Sequence, residues 1–112
     1  MMSVNAAQKE CLEACIECMK QCNQCFNDCL QEDDVKMMAE CIRLDRECAD
    51  ICALTAKAIQ SNSPLMKETA QLCAEACKAC GDECAKHDHQ HCKDCADACY
   101  RCEKACRELA AS

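Results

Sequence analysis

The stretch CLEACIECMKQCNQCFNDC, residues 11–29, places six cysteines at steps of four, three, four, three and four. That alternation is the spacing at which a helix lays side chains along one buried seam. Leucine or isoleucine usually fills such a seam. Here thiols take every position.

The rest of the chain repeats the device. One Gly, one Pro and long runs without either leave few turn signals in 112 residues, which favours helices over a sheet. Three breaks stand out. QEDD (31–34) offers Asp33 or Asp34 as an N-cap, SNSP (61–64) offers Ser63 with Pro64 at the first helical position, and KHDHQH (86–91) offers Asp88 or a neighbour. They divide the chain into helices over Asn5–Leu30, Asp34–Gln60, Pro64–Lys86 and Gln90–Leu109. Short connections make successive helices antiparallel, so the expected fold is all-α: an up-down-up-down four-helix bundle forming one domain over residues 1–112.

All eighteen cysteines fall on the seams of these helices. The first carries Cys11, Cys15, Cys18, Cys22, Cys25 and Cys29. The second carries Cys41, Cys48 and Cys52, with Asp45 and Thr55 in register. The third has Cys73, Cys77, Cys80 and Cys84, and the fourth Cys92, Cys95, Cys99, Cys102 and Cys106. The interior of the bundle is therefore expected to be lined with thiols.

Buried cysteine can act as a small hydrophobe, but it fills space poorly, and Phe26 and Tyr100 are the only aromatic residues present to help. Disulfides within a helix are disfavoured: neighbouring seam positions have Cβ atoms about 5–6 Å apart, whereas a bridge needs roughly 3.5–4.5 Å. Metal coordination spans the longer gap. Soft thiolates select Cu(I), Zn(II) or iron–sulfur clusters. The clustered loop cysteines and trailing proline of a bacterial ferredoxin run are missing. Four thiolates on Zn(II) leave two net negative charges, a costly arrangement in a buried row. One Cu(I) per thiolate is neutral, and bridging sulfurs give an upper bound of roughly one ion per cysteine. Five C-x-x-C pairs (15/18, 22/25, 77/80, 92/95, 99/102) invite a redox assignment. They overlap with the C-x-x-x-C steps of the seams and lack the βαβ context that a thioredoxin-like site uses. Zinc buffering and thiol–disulfide exchange stand as alternatives to Cu(I) storage.

Antiparallel threading gathers His87, His89 and His91 with Met37 and Met38 at one end, suited to passing ions to Cys29, Cys41, Cys84 and Cys92. Ile59, Leu65, Met66 and Leu109 fall at the other end, where they are expected to close the interior. Leu12, Ile16, Met19, Phe26 and Leu30, with Leu44, Ile51 and Leu54, form apolar faces beside the seams. These suit either self-association or packing between adjacent helices. A net charge of −7 disfavours nucleic acid and anionic membranes as partners. The opening MMSVNAAQKE lacks the apolar stretch of a secretory signal, so a cytoplasmic location is expected.

With these seams in view, the chain resembles the bacterial cytosolic copper storage proteins. The resemblance rests on C-x₃-C-x₂-C-x₃-C in the first and third helices and C-x₂-C-x₃-C-x₂-C-x₃-C in the fourth. It implies a non-enzymatic homotetramer of bundles, each holding many Cu(I) ions on inward cysteines, with entry at the His/Met end. The cysteine-poor second helix and its Asp45 depart from that pattern.

Overall fold

The computed structural model describes residues 5–112, so the first four residues of the expected 1–112 domain lie outside it. Four α-helices run along one another: α1 (Ala6–Leu30), α2 (Ala39–Gln60), α3 (Met66–Cys84) and α4 (Gln90–Ala111). Each packs on two neighbours, α1 on α2 and α4, and α3 on α2 and α4. The result is a slender rod of 50 × 18 × 18 Å, the antiparallel square bundle that short connections dictate.

Local chemistry sets the ends. Asn5 Oδ1 accepts from the Gln8 amide at 2.9 Å, and the Asn5 amide donates to Gln8 Oε1 at 3.1 Å. This capping box starts α1. At the close of α2, Asn62 takes a positive φ of 50° while the Ser63 amide donates to the Ala58 carbonyl. That is the left-handed stop in which asparagine is tolerated.

Two helix starts differ from the sequence expectation. Asp34 makes no side-chain cap, and residues Val35–Met38 form a 3₁₀ turn before α2 begins at Ala39. The tighter turn buries Met38 completely and leaves Met37 73% exposed. Ser63 does accept from the Leu65 amide at 3.0 Å, but Pro64 and Leu65 remain in the turn and α3 starts at Met66. α4 starts at Gln90 with His89, the neighbour of Asp88, as its N-cap, and His89 makes no side-chain cap bond. α3 ends at Cys84 rather than Lys86, while α4 runs to Ala111, beyond Leu109.

The core is thin in carbon. Its buried members are mostly cysteine and alanine, with Ile59, Met66 and Leu109 closing the end opposite the histidines. Leu65 does not join them; it is exposed because the turn holds it outside the bundle. Gly81 permits a close approach of α3 to α4. A Cβ there would lie 2.9 Å from Tyr100 Cε1 and 3.2 Å from Cys99 Cβ. No described helix is long and apolar enough to cross a membrane.

Candidate metal centre

Every cysteine points inward, none is disulfide-bonded, and none is more than 1% exposed. The period that set them on one face of each helix sets them, once four helices pack, around a single axis. Sulfur meets sulfur along that axis, from Cys11 to Cys106 at 3.5 Å, through Cys15 to Cys102 at 3.7 Å and Cys48 to Cys77 at 3.7 Å, to Cys41 and Cys84 at 3.3 Å. These separations are far longer than the ~2.05 Å of a disulfide. They leave room for an ion between thiolates.

The sulfurs group in fours. Cys25, Cys29, Cys41 and Cys92 make one set at the histidine end; Cys22, Cys80, Cys95 and Cys99 make the next. Cys18, Cys22, Cys48 and Cys99 follow, then Cys18, Cys48, Cys52 and Cys77, then Cys15, Cys73, Cys102 and Cys106. Within each set all four sulfurs lie within 4.8 Å of one another. Any one set fits a tetrahedral ion. The sets share members, however: Cys22 and Cys99 belong to two, as do Cys18 and Cys48. Filling adjacent sets requires bridging thiolates, and the charge balance then favours a monovalent soft ion over Zn(II).

One level of the ladder is different. Asp45 is wholly buried, and its Oδ1 accepts from Cys80 at 3.2 Å, Cys95 at 3.4 Å and Cys84 at 3.6 Å, while Cys41 reaches Oδ2 at 3.8 Å. Burial pushes the carboxyl up to about 9. It is therefore a neutral acid at pH 7 while the protein is metal-free. Thr55, the other polar residue on the α2 seam, is buried too and donates to the carbonyls of Ile51 and Thr69. Burial also raises the thiols of Cys29 and Cys92, so a metal ion bound there would displace protons.

The histidines do not act as a set. His91 Nδ1 lies 3.3 Å from Cys25 Sγ and 3.6 Å from Cys92 Sγ, at the rim of the end quartet. Its Nε2 meets Glu32 Oε2 at 2.7 Å. His89 stacks on His91 with ring centroids 5.4 Å apart and contacts Glu32 and Asp34. His87 is tied to Glu83 on its own helix, Nε2 to Oε2 at 2.9 Å. Met38 is sealed in the core beneath this end, and Met37 faces solvent. The sequence-level grouping missed Glu32, which it treated as part of a turn. An acidic residue three positions beyond Cys29, at the end that gathers the histidines, was the available signal. The surface groove lined by Glu10, Arg101, Lys104, Ala105 and Glu108 contains neither thiol nor imidazole.

The family profile described as copper storage protein matches residues 4–111. This chain belongs to the copper storage protein family. The Cu(I)-bound copper storage protein BsCsp3 is 58% identical and superposes with a TM-score of 0.90 over 93% of this chain and 98% of its own. Apo copper storage protein 3 from Bacillus subtilis, also 58% identical, gives 0.85 over 91% and 97%. A cytosolic copper storage protein from Streptomyces lividans carrying five coppers is 42% identical, with a TM-score of 0.89 over 95% of this chain and 93% of its own. No curated protein sequence matches the chain. Family membership and the cysteine quartets of this chain both point to its interior as a place for copper.

Proposed function

We propose that the chain is a cytoplasmic store for Cu(I), without catalytic activity, in which the bundle interior is the binding site over the whole length of the domain. The observation that carries this is the continuity of the thiols: all eighteen are buried and unbridged by disulfide, and sixteen of them fall in the five quartets, three of which share members. A single structural metal needs one quartet, and a dithiol enzyme needs one exposed pair. Neither calls for a ladder.

In this account Cys11, Cys15, Cys18, Cys22, Cys25, Cys29, Cys41, Cys48, Cys52, Cys73, Cys77, Cys80, Cys84, Cys92, Cys95, Cys99, Cys102 and Cys106 supply the thiolates. Ions enter at the His91 end and are taken first by Cys25, Cys29, Cys41 and Cys92, with Nδ1 of His91 as an added nitrogen donor. His89 and His87 line the approach. Met37 is a solvent-facing thioether there, and Met38 a buried one beside the first quartet's end of the bundle. Each thiol gives up its proton as copper binds, so uptake weakens as pH falls. Burial of the loaded sulfurs keeps Cu(I) from water and oxygen.

The self-association expected of a homotetramer has its support in the exposed apolar side chains Ile16, Leu54 and Leu72 on the rod's flanks. Light scattering on the eluting protein tests it, with four chains per particle expected and a monomer contradicting it.

Native mass spectrometry of reduced protein loaded anaerobically tests the storage function. Species carrying well over four Cu(I) per chain are expected. A distribution ending at one or two ions would leave zinc buffering or redox chemistry as the better account.

A further inference from the structure

We propose that Glu32 is a positioning residue for copper entry: it locks His91 in the Nε2–H tautomer, which aims an unprotonated Nδ1 at the first thiol quartet. The argument starts from the two faces of one ring. His91 Nε2 stands 2.7 Å from Glu32 Oε2, and Nδ1 stands 3.3 Å from Cys25 Sγ. A neutral imidazole carries one proton. Placed on Nε2, that proton is donated to a carboxylate in a short, charge-assisted bond, and Nδ1 accepts from the Cys25 thiol. Placed on Nδ1, it would leave the Nε2 lone pair facing the carboxylate oxygen, which repels it. The surroundings therefore select one tautomer, and it is the one whose free lone pair faces Cys25 and Cys92.

Glu32 is held for this task. It sits three residues past Cys29, in the turn that closes α1, and its amide donates to the Cys29 carbonyl at 3.3 Å. The same Oε2 lies 3.3 Å from His89 Nδ1, so one carboxylate anchors both rings of the stacked pair. Glu32 and His91 are both largely shielded, with 26% and 14% of their side chains exposed. An outer carboxylate that orients a ligating histidine commonly governs metal affinity by about 10–100-fold. The other ion pairs of this end do not reach the quartet: Glu83 holds His87, and Asp34 touches His89 alone.

The inference rests on the storage function, yet its first test uses no copper. Nitrogen-15 correlation spectra of the reduced, metal-free protein read the tautomer of His91 directly. Expected are a single Nε2–H form in the native chain, its loss in Glu32→Ala, and its retention in Glu32→Gln, whose amide oxygen still accepts the bond. Asp34→Ala is expected to leave His91 unchanged. Stopped-flow transfer of the first Cu(I) equivalents should then slow about 10-fold in Glu32→Ala, with Glu32→Gln near the native rate and saturating capacity the same in all. An Nδ1–H tautomer in the native protein overturns the proposal without any variant. So does an unaltered His91 in Glu32→Ala, or an equal change in Asp34→Ala. A native chain that binds only one or two ions would defeat storage while leaving the tautomer result to decide Glu32.

Discussion

Cys18→Ala probes the ladder at its most shared rung. Cys18 Sγ lies 3.9 Å from Cys22, 3.8 Å from Cys48, 3.9 Å from Cys77 and 3.7 Å from Cys99, and it belongs to two of the overlapping quartets. In the metal-free protein the change removes one buried sulfur. That loss, like deletion of a single core methylene, costs about 1 kcal/mol, which lowers the melting temperature of a domain this size by roughly 4 °C. In the loaded protein the same change removes a bridging ligand from two neighbouring sites. Capacity should fall by about one or two ions from an upper bound of roughly one per cysteine, with the remaining quartets still filled. Thermal melts of the reduced protein and anaerobic copper counting give the two numbers separately. An unchanged capacity would refute the sharing of sulfurs between sites. A collapse to less than half would refute independent filling, and would instead mark a single cooperative cluster.

The raised Asp45 makes metal-free stability depend on pH. A carboxyl at about 9 in the folded state, against an ordinary 3.8, keeps its proton while the unfolded chain releases it. The group's contribution therefore declines from about pH 4 to about pH 9 as pH rises, and Asp45→Asn should flatten a plot of melting temperature against pH across that window. A profile as steep as the native one would show that Asp45 is ionised when buried. Gly81→Ala forces a methyl to 3.2 Å from Cys99 Cβ and 2.9 Å from the Tyr100 ring, so it should destabilise the reduced protein by about 1–3 kcal/mol in denaturant melts; an unaffected midpoint would mean that α3 and α4 part easily. His91→Ala should slow the first phase of Cu(I) uptake and spare the final stoichiometry, whereas His87→Ala, whose ring is held by Glu83, should do less. Equal effects would restore the view of the three histidines as one set.

The bundle and its lining were legible because they rest on periodicity. The four-three alternation that begins at Cys11 fixes which face of α1 is buried, and the same rule applied to α2 brought Asp45 and Thr55 inside with the thiols, where both are found. Other features depend on how one element meets another, and spacing does not encode that. Met37 and Met38 are adjacent in sequence, yet a 3₁₀ turn sends one to solvent and the other into the core. Leu65 has a core residue's chemistry but a turn residue's place. His87, His89 and His91 alternate along a short segment, and only their neighbours tell them apart: Glu83 for one, the Glu32 carboxylate and Cys25 for another. Glu32 itself carries no pattern. Its role arises from the end of α1 lying beside the start of α4.

The most direct test of the central claim is an anaerobic titration of the fully reduced protein with Cu(I) against a competing chelator. The overlapping quartets predict saturation at many ions per chain, approaching one per cysteine. Saturation at one or two would contradict the claim that the interior of the bundle is the store.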